Sequence, residues 1–486
     1  MVFLALDQGT TSSRAIVFDT DGKVLGQAQH EFAQHFPQPG WVEHDPEEIF
    51  ETQWAAACEA HEAAGKPEVR GVGITNQRET VVVFDARTGE PIHRAIVWQD
   101  RRTADRLAEM CEHEDRVREL TGLPLDPYFS ASKIAWILDT VPGARARAER
   151  GELAAGTIDA WLLWKLSGGE VFATEPSNAA RTLLFDLRTG DWSDELLALF
   201  RIPRACLPEI RPSAGDFGEV AATGWPVTGV LGDQQAALFG QGCFDAGEAK
   251  CTYGTGAFLL MNCGTELPEP GRGILGTVAW RLGETITYAL EGSVLVSGAL
   301  IQWLRDGLGI LDSSADVESL ARSVEATGGL VIVSAFAGLG TPHWDAHARG
   351  LMIGITRGTG PGQIALAALE AMALQVREVQ LAMEEITGSR FLDLRVDGGA
   401  AANGLLLEIQ ASLCGVEVHR PANLETTAVG AFRMAMLGAK EAATPEELAP
   451  MASERSVFTG GDRDVAGLWD RWCEAVQRSR GWAKSC

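Results

Sequence analysis

The chain has 486 residues, of which 46% are hydrophobic and 22% charged, a mix typical of globular proteins and not of disordered or coiled-coil chains. The formal net charge is −25 and no run of lysine and arginine interrupts it, so nucleic acid and anionic membrane surfaces are poor partners. No stretch of about 18 consecutive apolar residues occurs, which excludes a membrane-spanning helix of the usual kind.

The first strongly patterned segment is a predicted β-hairpin at the start of the chain. An apolar run covers residues 2–6, a polar loop rich in Gly, Thr and Ser covers 7–13, and a second apolar run covers 15–18. A related pattern returns about 245 positions later. There, strands predicted at 250–253 and 257–262 flank a Gly-Thr-Gly loop. The sequence therefore predicts two similarly built lobes that face each other.

Amphipathic helices are predicted between and after these strands, over residues 46–64, 103–121, 362–387 and 404–413. Strands that alternate with helices indicate an α/β fold. Proline-rich breaks at 203–212 and at Pro226 precede a further strand, so we place the lobe boundary just after it. The predicted N-terminal lobe covers 1–230 and the C-terminal lobe covers 231–486.

The loop of the first hairpin carries groups suited to binding phosphate. Glycine lets the backbone approach a ligand, while the hydroxyls of residues 10–12, the loop amides and Arg14 offer hydrogen-bond donors. Asp7, at the end of the strand, is placed to hold a divalent cation, since Mg²⁺ usually binds one or two carboxylates together with substrate phosphates. An ordinary polar hairpin loop remains the alternative on this segment alone.

Two further segments combine a strand end with a turn. Asp233 follows an apolar run and precedes a helical one, so it can accept a hydroxyl proton, hold a metal or simply cap the helix. Residues 396–403, VDGGAAAN, place paired glycines at a helix start, which leaves room for a flat base or a ribose. The sequence contains neither G-x-x-x-x-G-K-[ST] nor G-x-G-x-x-G, which excludes the two common nucleotide-binding loops.

Seven motifs in one order over about 400 residues are far more specific than any one of them. They are LALDQGTTSSR, GITNQRET, AIVWQDRRT, DPYFSASK, GDQQAALFGQ, YGTGAF and VDGGAAAN. Together with a second signature over residues 350–370, they make the chain resemble the glycerol-phosphorylating members of the FGGY sugar-kinase family. The resemblance implies two ribonuclease-H-like lobes with a cleft between them, the ATPase fold of actin, hexokinase and heat-shock chaperones.

The same resemblance implies roles for individual residues. The ATP phosphates are expected on Thr10, Thr11, Ser12 and Arg14, assisted by Thr255 and Gly298. The nucleoside end is expected on Gln302, Gly399 and Asn403. Mg²⁺ is expected near Asp7 and Asp233, with Asp233 as the general base that takes the proton from the attacking hydroxyl.

The polyol is expected on a second set of residues. Those implied to hydrogen-bond its hydroxyls are Arg78, Glu79, Tyr128, Asp233 and Gln234, and those implied to pack against its carbon chain are Trp98 and Phe258. A triol needs a partner for each hydroxyl, and a site built this way rejects analogues that lack them. Taken alone, Arg78 and Glu79 are also compatible with a surface ion pair.

The implied reaction is ATP-dependent phosphorylation of glycerol to sn-glycerol 3-phosphate. Alternatives are a kinase for another polyol or a ketose, or an ATPase that switches protein partners as actin and the chaperones do. The nine cysteines contain no C-x-x-C pair and the N-terminus lacks signal-peptide features, so a cytoplasmic protein is expected. A homo-oligomer, dimer or tetramer, is the expected assembly.

One departure from the family concerns regulation. Enterobacterial members carry a loop rich in Gly, Lys and Arg before GDQQ that binds fructose 1,6-bisphosphate as an inhibitor. The corresponding stretch here, residues 220–226, is VAATGWP and contains no basic residue. The sequence therefore predicts that this inhibitory site is absent.

Overall fold

The structure, a computed structural model, describes residues 1–269, 271, 273–451 and 455–485. The strands are, in chain order, β1 (Val2–Gln8), β2 (Ser12–Asp19), β3 (Val24–Glu31), β4 (Glu43–His44), β5 (Val69–Asn76), β6 (Val81–Asp85), β7 (Ala95–Ile96), β8 (Leu153–Thr157), β9 (Ala173–Thr174), β10 (Phe185–Asp186), β11 (Asp191–Trp192), β12 (Glu209–Ile210), β13 (Glu219–Val220), β14 (Trp225–Gly232), β15 (Ala249–Tyr253), β16 (Ala257–Gly264), β17 (Leu275–Leu282), β18 (Thr285–Val294), β19 (Val331–Val333), β20 (Leu351–Ile353), β21 (Leu394–Asp397), β22 (Val418–Pro421) and β23 (Arg455–Phe458).

The α-helices are α1 (Pro46–Ala63), α2 (Ala104–Ala108), α3 (Glu114–Thr121), α4 (Ser130–Thr140), α5 (Ala144–Glu149), α6 (Ile158–Leu166), α7 (Pro176–Ala179), α8 (Asp194–Phe200), α9 (Asp233–Gly240), α10 (Gly298–Asp306), α11 (Val317–Ala321), α12 (Pro361–Thr387), α13 (Gly404–Cys414), α14 (Thr426–Gly438) and α15 (Val465–Ser479). Short 3-10 turns cover Cys111–His113, Arg204–Cys206, Ser314–Asp316, Gly399–Ala402, Pro445–Met451 and Trp482–Ser485. Within the described ranges, every helix is too short or too polar to cross a bilayer.

Two mixed sheets form the centres of the two lobes. The first has the strand order β13-β14-β5-β1-β2-β3, and the second has the order β17-β18-β16-β15-β21-β22-β23. In each, an antiparallel hairpin is continued by a parallel strand: β1 pairs with β2 and β5, and β15 pairs with β16 and β21. The predicted α/β class and the two similarly built lobes are confirmed.

Both predicted hairpins are present, but the first loop is shorter than expected. Asp7 pairs with Arg14 and Gln8 with Ser13, so β1 and β2 extend into the polar segment and only residues 9–11 form the turn. Polar residues continue the ladder because each strand needs backbone partners whatever its side chains are. Arg14 therefore projects from a strand and not from a loop.

Most of the predicted helices are confirmed and one is wrong. α1 has an Asp45 N-cap that accepts a hydrogen bond from the backbone of Glu47, and α12 and α13 match the predicted ranges within one residue. The single helix expected over 103–121 is instead two short helices, α2 and α3, joined by a 3-10 turn. No residue between 108 and 116 is buried, so nothing holds a continuous helix against the core.

Helix α14 packs against the N-terminal sheet although it lies within the range assigned to the C-terminal lobe. The ring of Phe432 on α14 stacks on Phe18 at a centroid distance of 4.8 Å and meets Phe3 edge-on at 5.8 Å. Strand β14 also crosses the predicted boundary, since Gly232 still pairs with Asn76 of β5. The division at 230 and 231 stays a prediction.

Candidate functional site

The hairpin turn between β1 and β2 and the adjacent strand ends carry the phosphate-binding residues predicted on the N-terminal lobe, which are Thr10, Thr11, Ser12 and Arg14. The indole nitrogen of Trp98 donates a hydrogen bond to the Thr10 hydroxyl at 3.0 Å. Arg14 is held by an ion pair with Glu425 and by a 2.8 Å hydrogen bond from its Nη2 to Gln29. In this conformation Nε, Nη1 and Nη2 of Arg14 each donate to a protein group, while the side chain stays 28% exposed.

Asp7 lies at the end of β1 in the same region. Burial raises the pKa of its carboxyl to about 7, and the negative charges of Asp233 and Glu425 add to this effect, while Arg14 opposes it. A nearby cation stabilises the charged form of such a buried carboxyl group. The negative charge of Asp233 disfavours the charged form of Asp7.

A buried charge network surrounds Arg78 at the end of β5. Its Nη1 and Nη2 donate to both oxygens of Glu291 at 2.6 and 3.0 Å, and its Nε lies 3.2 Å from Asp233. Arg181 joins Glu79 at 2.7 Å and Glu291 at 3.1 Å. The alternative of a surface ion pair for Arg78 and Glu79 is wrong, because both side chains are only 2% exposed.

The pKa values follow from this arrangement of charges. Burial alone would raise the pKa of Glu291, but Arg181 and Arg78 outweigh burial and lower it to about 2. For Glu79 burial dominates, and its pKa is raised despite Arg78 and Arg181. The N–H donors of Arg78 and Arg181 are therefore largely used by the carboxylates of Glu79 and Glu291. These bonds hold the charges of the network in fixed positions.

Asp233 differs from the other acids of this network in its position. It is the first residue of α9, directly after β14, so the predicted strand-to-helix corner is confirmed. Its Oδ1 accepts a hydrogen bond from the backbone of Gln234 at 2.7 Å, while its side chain stays 33% exposed. Asp233 is thus a partly exposed carboxylate beside a buried guanidinium.

Aromatic and polar side chains continue the site on both sides of Asp233. The rings of Trp98 and Tyr128 meet edge-on, with centroids 5.5 Å apart. On the second sheet, Lys250 donates to Gln234 and, at 3.0 Å, to the hydroxyl of Thr252. Phe258 is the direct cross-strand partner of Thr252.

The predicted nucleotide-binding residues of the C-terminal lobe line one cavity of about 400 Å³. They are Thr255, Gly298, Gln302, Gly399 and Asn403. Apolar side chains, among them Met372, cover another part of the wall, which suits the flat face of a base. The residues predicted on the first hairpin do not line this cavity, so the two predicted phosphate-binding groups stand on different lobes.

Sequence reasoning missed three buried residues at the centre of the site: Arg181, Glu291 and Lys250. Each is fully buried, and each bonds a predicted polyol residue. The available signal is a charged residue inside an apolar strand, as in ALEGSV and AKCTY. Such a residue must be paired, but the sequence does not say with which partner.

The donor set at the first hairpin fits a hard divalent cation. Within the described residues no group of three or more His, Cys, Asp and Glu side chains is arranged as a metal cluster. Mg²⁺ does not need one, because it keeps waters and binds one or two carboxylates plus substrate phosphates. Asp7 and Asp233 supply two carboxylates of the kind that this pattern needs, and a bound cation would offset the burial that raises the pKa of Asp7.

Comparisons with known proteins agree with this architecture. Residues 2–240 match the N-terminal domain of the FGGY family of carbohydrate kinases, and residues 249–439 match the C-terminal domain. Curated relatives called glycerol kinase include one from Alkalilimnicola ehrlichii, 54% identical over 99% of each chain, and one from Deinococcus radiodurans, 51% identical over 99% of this chain and 97% of its own.

Solved structures give the same fold. The Plasmodium falciparum glycerol kinase with ADP superposes with a TM-score of 0.93 at 32% identity, covering 98% of both chains. A xylulose kinase from Rhodospirillum rubrum, at 23% identity and a TM-score of 0.86 over 98% of both chains, shares the fold.

Proposed function

The chain belongs to the FGGY family of carbohydrate kinases, and from that membership we propose that it transfers the γ-phosphoryl group of ATP to glycerol, forming sn-glycerol 3-phosphate and ADP. Identity above 50% over almost the whole of curated glycerol kinases supports glycerol as the acceptor. The solved structure of the Plasmodium falciparum glycerol kinase with ADP supports an adenine nucleotide as the donor.

The observation that carries the proposal is the exposure of Asp233 beside the buried network of Arg78. Glu79 and Glu291 are 2% and 0% exposed and bonded to arginine, whereas Asp233 is 33% exposed. We assign Asp233 as the general base. It accepts the proton of the terminal hydroxyl as that oxygen forms its bond to the γ-phosphorus and the bond to the ADP oxygen breaks.

Glycerol binding is proposed on the side chains around Asp233. Arg78 donates and Glu79 accepts hydrogen bonds with the hydroxyls, while Gln234 and Tyr128 complete the set. Trp98 and Phe258 pack against the carbon chain. The fixed positions of Arg78 and Glu79 within a buried network support this assignment, because a preorganised polar site discriminates by the hydroxyls it pairs.

Nucleotide binding is proposed across both lobes. The 400 Å³ cavity with Gln302, Gly399 and Asn403 takes the nucleoside, and Thr255 and Gly298 lie on the phosphate side. Thr10, Thr11, Ser12 and Arg14 contact the phosphates from the other lobe. Asp7 and Asp233 would hold Mg²⁺, which when bound neutralises phosphate charge.

Cytoplasmic location and a homo-oligomeric assembly stay predictions. The cysteines of the described residues are all free thiols, which supports a reducing compartment.

An acceptor panel tests the proposed function. ADP release is followed in a coupled assay with glycerol, xylulose, ribulose or no acceptor, and the product is identified with an enzyme specific for sn-glycerol 3-phosphate. We expect kcat/KM for glycerol to exceed that for either ketose by about 10² or more. The reason is that a ketose bound in this polar site leaves polar groups without hydrogen-bond partners. A ketose that outperforms glycerol, or equal ATP hydrolysis without acceptor, contradicts the proposal.

A further inference from the structure

Three guanidinium groups meet at the C-terminal end of α9, away from the proposed catalytic cleft. Arg395 of β21 and Arg455 of β23 donate to the carbonyl oxygen of Gln241 at 3.1 and 3.0 Å. Arg433 of α14 donates to the carbonyl oxygen of Gly240 at 3.0 Å. These arginines, which we call the arginine cluster, come from three separate elements that converge on one turn of the chain.

The closeness of the three groups is visible at the neighbouring Gly242. A β-carbon added there would lie 3.5 Å from a terminal nitrogen of Arg395, 3.5 Å from one of Arg433 and 3.7 Å from one of Arg455. Like charges at this separation repel unless anions compensate them. Burial, and next the charges of Arg455 and Arg395, lower the pKa of Arg433 to about 10.

The carboxylates near the arginine cluster form ion pairs with Arg395. Arg395 forms ion pairs with Glu248 and, at 3.2 Å, with Asp393. Among the described residues, neither Arg433 nor Arg455 has a carboxylate oxygen within 4.0 Å, and their hydrogen bonds go to backbone carbonyls. Within the part of the chain that the structure describes, the cluster thus has two guanidinium groups without a carboxylate partner, although the net charge of the chain is −25.

Arg433 is also incompletely hydrogen-bonded. It is 1% exposed, and its Nε is buried without any hydrogen-bond partner. Among the described residues, protein oxygens accept hydrogen bonds only from Nη1 of Arg433. A buried, unpartnered donor on a charged group is costly, so a ligand that accepts from it gains a strong, charge-assisted hydrogen bond.

A cavity of about 90 Å³ opens beside these two guanidinium groups. Its wall includes Arg433, Arg455, the half-buried Asn423 and Gln241. The Nε2 of Gln241 is already used by Asp397, at 2.9 Å, so the free donors belong to the arginines and to Asn423. A cavity of this volume holds more than one water molecule and has room for a small inorganic ion.

We propose that this cavity is a binding site for a small tetrahedral oxyanion, inorganic phosphate or sulfate, held by Arg433 and Arg455. The oxyanion would supply the acceptors that the two guanidinium groups lack among the described residues, and it would lie against the end of α9 opposite to Asp233. This inference is independent of the substrate assigned above. The competing explanation is that the arginines only cap the carbonyl groups at the end of α9.

Equilibrium dialysis with radiolabelled inorganic phosphate tests the site. The full chain is saturated with glycerol and a non-hydrolysable ATP analogue, so that the cleft is filled, and ionic strength is held constant. Wild type, Arg433→Met, Arg455→Gln and the control Arg94→Met, which removes an exposed arginine elsewhere, are compared, and circular dichroism checks that each is folded.

We expect wild type and Arg94→Met to bind about one phosphate per chain, with sulfate as a competitor, and the two cluster variants to bind at least about tenfold more weakly. Arg455→Gln decides the outcome if Arg433→Met does not fold, because Arg455 is only half-buried. Equal phosphate binding by all four proteins, or no saturable binding by wild type, overturns the proposal and leaves helix capping as the role of the cluster.

Discussion

Glu79, Glu291 and Asp233 all lie near Arg78, yet their environments separate their roles. The first two are buried and paired with arginine, so they fix the guanidinium in place. Asp233 is the acid that solvent, and therefore a substrate hydroxyl, can reach. In the proposed mechanism the proton transfer thus depends on Asp233, and the orientation of Arg78 depends on Glu79 and Glu291.

Replacing Asp233 with Asn tests the base. The amide keeps the shape of the side chain but cannot accept the proton, so kcat should fall by about 10² to 10⁴-fold. The KM for glycerol should change by only a few-fold, because Arg78 keeps its bonds to Glu291. Steady-state kinetics measures both values, with the exposed-turn variant Asp21→Asn as control. Retention of more than about a tenth of the wild-type kcat would show that Asp233 is not the base.

Arg78 is best tested with lysine, since alanine would leave Glu291 buried without one of its two cations. Loss of one partner of a buried pair typically costs about 3–5 kcal/mol and would confuse folding with binding. Arg78→Lys keeps the charge but loses the two-pronged contact with Glu291.

We expect Arg78→Lys to raise the KM for glycerol by about tenfold or more while the KM for ATP changes less than about twofold. The exposed variant Arg87→Lys should leave both constants at the wild-type values. Equal increases in both KM values would point to a distorted lobe and not to a polyol contact.

Asp7 gives a prediction on pH. Its pKa is raised to about 7, so the carboxylate form, which we propose as a ligand of Mg²⁺, is lost as pH falls through 7. Below that value the ionised fraction drops about tenfold per pH unit, and the KM for MgATP should rise in step, with Mg²⁺ in excess. Asp7→Asn should show a high KM with a flat profile from about pH 5.5 to 8. A wild-type profile as flat as that of the variant contradicts the role.

At the scale of elements, sequence patterns correctly predicted the elements that depend mainly on interactions between residues close in sequence. The hairpins and the helices α1, α12 and α13 follow from periodicity, caps and turn residues near in sequence. The break between α2 and α3 does not, because it depends on which residues find a core to pack against. The two partners of Glu291 could not be predicted for the same reason, since Arg78 and Arg181 lie more than 100 residues away in the sequence.

The contact between α9 and α14 depends on glycine. A β-carbon at Gly430 would overlap the carbonyl oxygen of Ala236, and one at Gly240 would overlap that of Thr426. The two helices therefore approach backbone to backbone, and α9 begins with Asp233. The packing of this pair thereby fixes the position of the proposed base.

Gly430→Ala should force the two helices apart. Overpacking typically costs about 1–3 kcal/mol, so we expect the Tm to fall by about 3 °C or more, together with a lower kcat as Asp233 moves. Thermal unfolding measures the first effect. Gly461→Ala is the control, because a β-carbon there meets open space. An unchanged Tm in Gly430→Ala would show that the helices adjust without cost.

At the scale of the whole molecule, the motifs predicted two lobes and the residues at their cleft, and the family match confirms the fold. They did not predict that α14 returns to the first sheet, where Phe432 packs on Phe18. Nor did they reveal the arginine cluster, whose members lie on three elements between residues 395 and 455. Such features depend on packing between residues far apart in the sequence, and sequence patterns do not predict which of these residues meet.

The last prediction concerns inhibition by a sugar bisphosphate. Residues 218–229 contain no Lys or Arg, and Glu219 adds a negative charge. In the structure this segment forms the β13–β14 hairpin, and Trp225 packs edge-on against His61 with ring centroids 4.7 Å apart. A polyanion with two phosphates therefore finds no cation on this hairpin to offset its charge.

We expect fructose 1,6-bisphosphate at about 5 mM to leave the rate of glycerol phosphorylation within about twofold of the uninhibited rate at physiological ionic strength. Titration of the sugar bisphosphate into the steady-state assay measures this, and sodium sulfate at matched ionic strength serves as control because it reports any effect of a simple oxyanion. Saturable inhibition by the sugar bisphosphate beyond that of sulfate, with a change in oligomer size, would mean that another surface supplies the missing cations. The net charge of −25 opposes such a site, although salt screens its distant part.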